Sequence, residues 1–350
     1  MSIITENFVD EEFFDKHAKI IQIDGQQLKG FIAIHRHFNN FPSFGATRLY
    51  DYNDQKHALI DVLRLSCLMT YKSIAADLSY GGAKAVLFTT DYLKKDRVNF
   101  FNEYANEINK LSGEFITGSD VGVYQQDVVN MKKITPYVSG VIVDPSYYTA
   151  LGVVTAMKKS IEYLKLGDFT NKKIGIDGAG KVGYEILKIL LNKQADIYLS
   201  DINIQLLNKI KSEFPQINIV PVNKLYLQSL DIYCPCALSD VVTFDNYKNF
   251  QCRMIVGAAN NQLFSPELGD LLWRREILYL PDYLVNAGGL ISVVSEYEGV
   301  TDELSVTNKV LAIGDRLHYY LEEAYRLNKP LHRLVDAAVK NRLNSLEFNL

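Results

Sequence analysis

The fold expected for this chain follows from one stretch, Lys173-Ile-Gly-Ile-Asp177-Gly178-Ala-Gly180-Lys-Val-Gly183. A short apolar segment leads into a turn with three glycines, and a helical pattern of apolar residues comes next. A second apolar segment, Ile197–Ser200, is followed directly by Asp201. A strand, a glycine turn, a helix and another strand in this order predict the βαβ unit of a parallel sheet. The alternative is a turn that needs its glycines only for backbone shape.

Each glycine of the G-x-G-x-x-G pattern has its own physical role in binding a dinucleotide. Gly178 permits the tight turn, Gly180 lets the backbone approach a pyrophosphate, and Gly183 lets the helix pack closely on the strand. The N-terminus of the helix offers free N–H groups and a partial positive charge to the phosphates. Asp201 can accept hydrogen bonds from both ribose hydroxyls and would repel a 2′-phosphate. The sequence therefore predicts NAD rather than NADP.

The alternation of short apolar segments and helical patterns extends from residue 174 to residue 280. It predicts a doubly wound Rossmann domain, which we place at residues 146–315. Residues 1–145 have a different texture, with an apolar strand at residues 30–35, and we expect a second α/β domain with a mixed sheet there. We expect the helical tail, residues 316–350, to join this first domain.

The composition is typical of a globular protein, with 22% charged and 48% hydrophobic residues among 350. A net charge of −4 without a block of lysine or arginine gives no electrostatic basis for nucleic-acid binding. No uncharged apolar run approaches the length of about 18 residues that predicts a membrane helix. Residues 1–17 are acidic and do not resemble a secretory signal. Four cysteines without zinc spacing predict neither disulfides nor a metal site, so we expect a cytoplasmic protein.

Three charged residues of the first domain suit amine chemistry. Lys72 ends a helical segment, Lys84 follows a glycine pair and precedes an apolar strand at residues 85–88, and Asp120 lies in a polar turn. By spacing alone they could be solvated lysines and a capping aspartate. An NAD enzyme that oxidises an amine, however, needs a cation for a carboxylate, a base and a proton relay. A lysine acts as a base near neutral pH only if burial or a second cation lowers its pKa.

Ten short motifs occur in a familiar order along most of the chain. They are I-A-I-H (32–35), G-A-T-R (45–48), M-T-Y-K (69–72), G-G-A-K-A-V (81–86), D-V-G (120–122), G-A-G-K-V-G (178–183), D-I-N (201–203), D-I-Y-C-P-C-A-L (231–238), G-A-A-N-N-Q-L (257–263) and P-D-Y-L-V-N-A-G-G (281–289). Together they resemble the glutamate/leucine/phenylalanine/valine dehydrogenase family, in its short branch that acts on hydrophobic amino acids.

The resemblance implies reversible oxidative deamination of a hydrophobic L-amino acid to the 2-oxo acid and ammonium, with hydride transfer to NAD. It assigns the substrate carboxylate to Lys72, activation of water as general base to Lys84, and proton transfer to and from the substrate nitrogen to Asp120. It also implies an active site in the cleft between the two domains. The partners implied are the amino acid and the 2-oxo acid, and the chain is expected to form a homo-oligomer.

The resemblance extends to further binding residues. The substrate-binding residues that it implies, besides Lys72, are Gly45, Ala46, Met69 and Asn286. The cofactor-binding residues that it implies are Thr149, Gly178, Ala179, Gly180, Lys181, Val182, Gly183, Asp201, Ile202, Cys236, Ala237, Ala258 and Asn260. Two of these side chains have simpler alternatives: Lys181 as a solvated helix lysine, and Asn286 as the cap of the helix that follows.

The same resemblance bears on the choice of substrate. Met69 stands where the glutamate-specific branch has a lysine, so the pocket is expected to be apolar. Gly118 resembles the members that use phenylalanine and tryptophan and opens space, which Phe44 can refill. We therefore expect a large aliphatic or aromatic amino acid. The alternatives are a leucine/valine-specific dehydrogenase and, because the loop at residues 140–148 is short, a catalytically weak NAD-binding paralogue that acts as a sensor or assembly partner.

Overall fold

The computed structural model describes residues 1–5, 13–38, 42–237 and 239–348. Leu238, the last residue of the P-C-A-L motif, lies outside these ranges. The chain forms two compact units. The first comprises Met1–Asp144, Ser292–Thr301 and the residues from Asn341 on, and the second comprises Pro145–Ile291 and Asp302–Lys340.

The described residues form strands and α-helices as follows. The strands are β1 (Ser2–Ile3), β2 (Lys19–Asp24), β3 (Lys29–Ile34), β4 (Ser43–Phe44), β5 (Thr47–Tyr50), β6 (Gly81–Phe88), β7 (Phe115–Ile116), β8 (Lys173–Asp177), β9 (Asp196–Ser200), β10 (Asn218–Ile219), β11 (Leu230–Pro235), β12 (Cys252–Ile255) and β13 (Leu278–Tyr279). The helices are α1 (Gln55–Ala75), α2 (Asp91–Lys95), α3 (Arg97–Asn109), α4 (Gln125–Lys132), α5 (Pro145–Tyr163), α6 (Lys181–Leu191), α7 (Ile204–Glu213), α8 (Glu267–Arg274), α9 (Asp282–Val285), α10 (Gly288–Tyr297), α11 (Glu303–Leu327) and α12 (Leu331–Phe348). None of these described helices combines the length and the apolar character needed to cross a bilayer.

The first unit contains a mixed sheet. Its strand order is β1-β2-β3-β6-β4-β7, and β5 also pairs with β6. The β1–β2, β2–β3 and β3–β6 pairs are antiparallel, whereas β4 and β5 run parallel to β6. The mixed sheet predicted for the N-terminal part of the chain is confirmed.

Helices cover both faces of this sheet. Phe31 and Ala33 of β3 belong to the apolar cluster that includes α1, and Ile32 and Ile34 belong to the cluster that includes α3. Because successive side chains of a strand point to opposite faces, both faces of β3 are buried. This explains why β3 is a continuous apolar run in the sequence and not an alternating pattern.

Strand β6 is longer than the apolar run at residues 85–88 predicts, because it begins at Gly81. Helix α1 passes so close to this end that a Cβ built on Gly82 would overlap the backbone nitrogen of Thr70. Glycine is generally unfavourable inside strands, so the sequence pattern does not predict this part of β6. The close approach sets the C-terminal half of α1 against the strand that carries Lys84.

The second unit contains a parallel sheet with the strand order β10-β9-β8-β11-β12-β13. All of its neighbouring strands, as far as the structure describes them, run parallel. The order reverses at β8, which pairs with β9 on one side and β11 on the other. In open parallel sheets, ligands bind beyond the carboxyl ends of the strands at such a reversal. The doubly wound sheet predicted from the glycine turn is confirmed.

The C-terminal helices differ from the expectation. Helix α11 and most of α12 belong to the second unit, where α11 lies along α5. Arg333 of α12 pairs with Asp270 of α8, with 2.7 Å between Nη2 and Oδ2. The prediction that residues 316–350 join the first domain is therefore wrong up to Lys340, because these contacts are made to the second unit. The last two residues, 349–350, lie outside the described chain.

Candidate active site

A buried lysine–aspartate pair lies in the first unit. Lys84, in the middle of β6, places Nζ 2.5 Å from Oδ2 of Asp120, which lies in the loop after β7. The Lys84 side chain is 5% exposed and that of Asp120 is 20% exposed. Burial lowers the pKa of Lys84. Burial alone would raise the pKa of Asp120, but the attraction of Lys84 and Arg48 outweighs it and lowers that pKa. An ionised carboxylate thus contacts an amine that loses its proton more easily than a free lysine.

Backbone hydrogen bonds from β5 hold the loop that carries Asp120. The N–H of Thr47 donates to the carbonyl oxygen of Gly118 at 2.9 Å, and the N–H of Leu49 donates to that of Val121 at 2.8 Å. These two bonds flank Asp120 in the sequence, so sheet-like pairing continues past the end of β7. Fixed placement suits an acid–base group, since proton transfer requires hydrogen-bond contact.

Arg48 and Asp61 extend the pair into a chain of alternating charges. Arg48 Nε lies 3.2 Å from Asp120 Oδ2, and Arg48 Nη1 lies 2.9 Å from Oδ2 of Asp61 on α1. The hydroxyl of Tyr52 donates to the same Asp61 oxygen at 2.6 Å. The sequence gives no sign of these contacts, except that Arg48 ends the G-A-T-R motif. Asp61 is 13 residues from Arg48 and lies on a different element, so no local pattern joins them.

The substrate-binding residues predicted for the first unit lie on elements next to this pair. Gly45 and Ala46 join β4 to β5, and the carbonyl oxygen of Ala46 accepts a hydrogen bond from the N–H of Ala85 at 3.1 Å. Met69 is half-buried and Lys72 is buried, and both lie on α1, which packs against β6. These four residues share one unit with the ion pair. Their contacts with a substrate stay predictions.

Phe44 and Gly118 were singled out as determinants of pocket size. The Phe44 ring is buried, with its centroid 4.8 Å from that of Tyr80 and 5.3 Å from that of Tyr297, both in edge-on contact. An aromatic cluster therefore accounts for phenylalanine at this position. A Cβ built on Gly118 would lie 3.1 Å from the carbonyl oxygen of Ser139. Even an alanine would need a small shift of the backbone there.

Asn286 lies in the second unit, between α9 and α10. Its Nδ2 donates to the carbonyl oxygen of Ala258 and to Oδ1 of Asn260, each at 3.0 Å. The amide therefore ties this junction to the segment after β12 instead of capping the helix that follows. Its Oδ1 is buried and has no hydrogen-bond partner among the described residues. This oxygen is therefore available to accept a hydrogen bond from a ligand or a water molecule.

The glycine turn after β8 has the shape that a dinucleotide requires. Gly178 has a φ of +114°, which favours glycine. A Cβ built on Gly183 would overlap the carbonyl oxygen of Gly178, so α6 begins tightly against the turn. A Cβ built on Gly180 would meet no described atom within 4 Å, and no described side chain caps the N-terminus of α6. The open approach and the available N–H groups fit a pyrophosphate.

Asp201 follows β9 and faces this turn. Its Oδ2 accepts a hydrogen bond from the N–H of Ala179 and its Oδ1 accepts one from the N–H of Asn203, each at 2.7 Å. Each carboxylate oxygen still has a lone pair for a ribose hydroxyl. Ile202 is 84% exposed and offers an apolar surface beside the carboxylate. These features fit the adenosine half of NAD.

Two further predicted cofactor residues border the turn. The N–H of Cys236 donates to the carbonyl oxygen of Asp177 at 2.7 Å, which extends the pairing of β11 with β8. The Cβ of Ala237 lies 2.8 Å from a Cβ built on Gly178, so the C-P-C-A segment contacts the turn directly. The C-P-C-A segment therefore packs against the glycine turn.

The remaining predicted cofactor residues on helices are Lys181, Val182 and Thr149. Lys181 is exposed and Val182 is half-buried in the first turn of α6. The Thr149 hydroxyl donates to the carbonyl oxygen of Pro145 at 2.7 Å, within α5. Its oxygen can therefore only accept a further hydrogen bond. Contacts of these three residues with a cofactor stay predictions.

The short loop at residues 140–148 is well supported by hydrogen bonds. The consecutive N–H groups of Val141, Ile142 and Val143 donate to the carboxylate of Glu296 at 3.0, 2.9 and 3.0 Å. A single carboxylate thus satisfies three neighbouring backbone donors. Residues 141–143 are thus held by Glu296 within the first unit, whereas residues 145–148 form the first turn of α5.

Replacing Asp201 with asparagine should weaken the preference for NAD over NADP. The amide keeps one oxygen for one of the two backbone N–H groups, those of Ala179 and Asn203, but loses the charge that repels a 2′-phosphate. We expect the ratio of the NADP and NAD dissociation constants to fall by about tenfold or more, since a charged hydrogen bond contributes about 1.5–3 kcal/mol. Calorimetric titration with both cofactors measures the ratio. Asp196→Asn, at the other end of β9, is the matched control, and an unchanged ratio in Asp201→Asn would contradict a ribose contact.

A doubly wound sheet with a dinucleotide turn, in one chain with a second α/β unit that holds a buried lysine–aspartate pair, defines a two-domain dehydrogenase. The family model described as Glutamate/Leucine/Phenylalanine/Valine dehydrogenase matches residues 140–329. The model described as Glu/Leu/Phe/Val dehydrogenase, dimerisation domain, matches residues 11–137. The chain belongs to the glutamate/leucine/phenylalanine/valine dehydrogenase family, which confirms the resemblance of its motifs.

Individual relatives are similar over nearly the whole chain. Phenylalanine dehydrogenase of Bacillus thermotolerans is 35% identical over 337 residues, 92% of this chain and 86% of that protein. Leucine dehydrogenase of Bacillus subtilis is 33% identical over 349 residues, 97% of this chain and 95% of that protein. The crystal structure of L-tryptophan dehydrogenase from Nostoc punctiforme has a TM-score of 0.76 and 31% identity and covers 95% of this chain and 97% of that one. The predicted hydrophobic branch of the family is confirmed.

Proposed function

We propose that this protein catalyses the reversible oxidative deamination of a large aliphatic or aromatic L-amino acid. The amino acid, water and NAD⁺ give the 2-oxo acid, ammonium, NADH and a proton. The observation that carries the proposal is the buried contact of Lys84 Nζ with Asp120 Oδ2 at 2.5 Å, in one chain with a dinucleotide turn. The reaction class is supported by relatives named phenylalanine, leucine and tryptophan dehydrogenase.

Lys84 and Asp120 divide the proton transfers between them. The glycine turn and Asp201 would hold NAD, which would supply the hydride acceptor for the substrate Cα. Lys84, as the free amine, takes a proton from water at Nζ, and the water attacks the carbon of the imino acid. The ionised carboxylate of Asp120 accepts a proton from the substrate nitrogen only transiently and passes it back, so that it is ionised again at the start of each turnover. Burial lowers the pKa of Lys84, which makes the free amine available at a pH where an exposed lysine stays protonated.

Lys72 and Asn286 are the proposed contacts of the substrate carboxylate. Lys72 is a buried cation on α1, and a charged hydrogen bond to a carboxylate suits it. Asn286 uses its Nδ2 for Ala258 and Asn260. A carboxylate can therefore accept from this amide only in exchange for one of those bonds, while the Asn286 Oδ1 is available to a ligand donor.

NADH formation at alkaline pH with leucine, valine, isoleucine, phenylalanine, tryptophan and glutamate tests the substrate class. We expect turnover of the large aliphatic or aromatic amino acids. We expect kcat/KM for glutamate to be lower by about 100-fold or more, because a side-chain carboxylate would meet the uncharged Met69 without a cation. Turnover of glutamate alone would contradict an apolar pocket.

The same panel separates the alternatives. Turnover restricted to leucine and valine would identify a leucine/valine dehydrogenase. Tight NAD binding without turnover of any of the six amino acids would identify a catalytically weak paralogue that acts as a sensor or assembly partner. The hydrogen-bonded loop at residues 140–148 and the Lys84–Asp120 contact favour the active enzyme over this paralogue.

We also infer a homo-oligomer and a cytoplasmic location. The match of residues 11–137 to a dimerisation-domain model supports assembly. Light scattering tests it, and a mass equal to the 39.7 kDa of one chain would contradict it. The cysteines support a reducing compartment, since none of the four, all within the described residues, forms a disulfide.

A further inference from the structure

One oxygen of Asp120 is shared by two cations from neighbouring strands. Oδ2 lies 2.5 Å from Nζ of Lys84 on β6 and 3.2 Å from Nε of Arg48 on β5. The two strands are parallel, and Arg48 is opposite Val86, two residues beyond Lys84. Because both cations contact the same atom, they lie within two hydrogen-bond lengths of each other. Like charges at this distance repel strongly in a buried site.

Loss of a proton would relieve this repulsion, and only one of the two cations can lose it. An arginine keeps its proton in a folded protein. At Arg48, the carboxylates of Asp120 and Asp61 raise the pKa further in spite of burial. Lys84 is an amine, and its burial disfavours the charged form. Arg48 therefore keeps Asp120 ionised, and Lys84 is the group that responds.

A second carboxylate limits the influence of Arg48. Asp61 on α1 accepts hydrogen bonds from Arg48 Nη1 at 2.9 Å and from the Tyr52 hydroxyl at 2.6 Å. Its negative charge partly neutralises the guanidinium and so weakens the repulsion at Lys84. Burial and the nearby Asp61 raise the pKa of Tyr52, so this hydroxyl stays a neutral donor.

We propose that Arg48 is a positioning residue which keeps Asp120 ionised and promotes loss of the proton from Lys84, and that Asp61 opposes it. The inference rests on the proposed function and deepens it. Neither Arg48 nor Asp61 needs to touch the substrate for this role. Arg48 acts through the oxygen it shares with Lys84, and Asp61 acts through Arg48.

The elements around Lys84 bring few charges to it. The charged groups that face it are Asp120 from the loop after β7, Arg48 from β5 and Asp61 from α1. On the other side of β6, strand β3 pairs Ala33 with Lys84. Helix α1 also carries Lys72, which stays the same in every variant below. Changes at Arg48 and Asp61 therefore alter a known set of neighbours.

Two substitutions should move the titration of Lys84 in opposite directions. Arg48→Gln removes a positive charge, so Lys84 holds its proton more tightly, and the acid limb of kcat/KM against pH moves up by about one pH unit or more. Asp61→Asn removes a negative charge and leaves Arg48 uncompensated, so the same limb moves to lower pH. Arg48→Lys restores a cation whose own proton can also leave, so its limb should lie between those of the wild type and Arg48→Gln.

Opposite shifts separate electrostatics from structural damage, because both substitutions remove a contact and would loosen the site alike. Thermal unfolding and NAD affinity are measured for each variant. A second titration does not depend on turnover: the pH dependence of Lys84 acetylation by acetic anhydride, followed by peptide mass spectrometry. It should show the same upward and downward shifts.

Two results would overturn the role of Arg48: no shift in either variant, or shifts in the same direction. A wild-type protein that turns over none of the six amino acids overturns the proposed function instead. In that case the acetylation titration still decides whether Arg48 and Asp61 control Lys84, since opposite shifts support the coupling and equal shifts refute it.

Discussion

Replacing Lys84 with alanine should lower kcat by about 10²–10⁴-fold, the range that a general base contributes. The substitution removes a buried amine that lies 2.5 Å from Asp120 and whose pKa burial lowers. Arg48 stays beside Asp120 but cannot act as a base, because a guanidinium keeps its proton. The NAD affinity should stay near that of the wild type, since the glycine turn belongs to the other unit. Steady-state NADH formation and calorimetry measure the two quantities.

Two further lysine variants make this test specific. Lys94→Ala is the matched control, because Lys94 is 69% exposed on α2 and its loss should change the free energy of unfolding by no more than about 0.5 kcal/mol. Lys84→Arg keeps a cation beside Asp120 but offers no base, so we expect it to be as inactive as Lys84→Ala. Wild-type turnover in Lys84→Ala would remove the assignment of the base.

Gly183→Ala should lower the NAD affinity by about 100-fold or more and also destabilise the second unit. The new Cβ would overlap the carbonyl oxygen of Gly178, which is backbone and cannot rotate away. The turn and α6 must move apart, which costs about 1–3 kcal/mol, as overpacking generally does. The same movement misplaces N–H groups whose bonds to phosphate contribute about 1.5–3 kcal/mol each. Calorimetric titration with NAD and thermal unfolding measure both effects.

Gly180→Ala is the matched control for packing. A Cβ at Gly180 would meet no described atom within 4 Å, so the thermal stability should not change. The methyl group would stand where the backbone is expected to approach the pyrophosphate, so the NAD affinity should fall. If the Gly183→Ala variant kept both the stability and the NAD affinity of the wild type, this result would contradict the close contact of α6 with the glycine turn.

Most of the fold could be predicted from local patterns. The strand at residues 30–35 and the alternating segments from residue 174 to residue 280 are read from apolar runs, because burial on both faces leaves an unbroken apolar signal. Gly81 and Gly82 break that signal in β6, where the backbone of Arg36 comes too close to Gly81, and that of α1 too close to Gly82, for a side chain. The packing partner of residues 316–340 could not be predicted, because an amphipathic helix shows that it packs, but not on what.

Lys84 and Asp120 could be selected from their motifs, and the structure places them in contact. The sequence does not single out Arg48, although it ends the G-A-T-R motif, because most arginines lie at the surface. No sequence pattern points to Asp61 as a functional residue. Its position on α1 becomes meaningful only when the fold brings it to Arg48 of β5.

Local sequence is sufficient for the strands, the helices and the glycine turn, because apolar periodicity and backbone geometry act over a few residues. The chemistry of Lys84 is different. Its proton affinity depends on its burial and on Asp120, Arg48 and Asp61, which come from three other segments. The sequence contains these charges without their separations, and Coulomb energy and desolvation depend on those separations. The order of the strands and the packing of α1 therefore decide how tightly this lysine holds its proton.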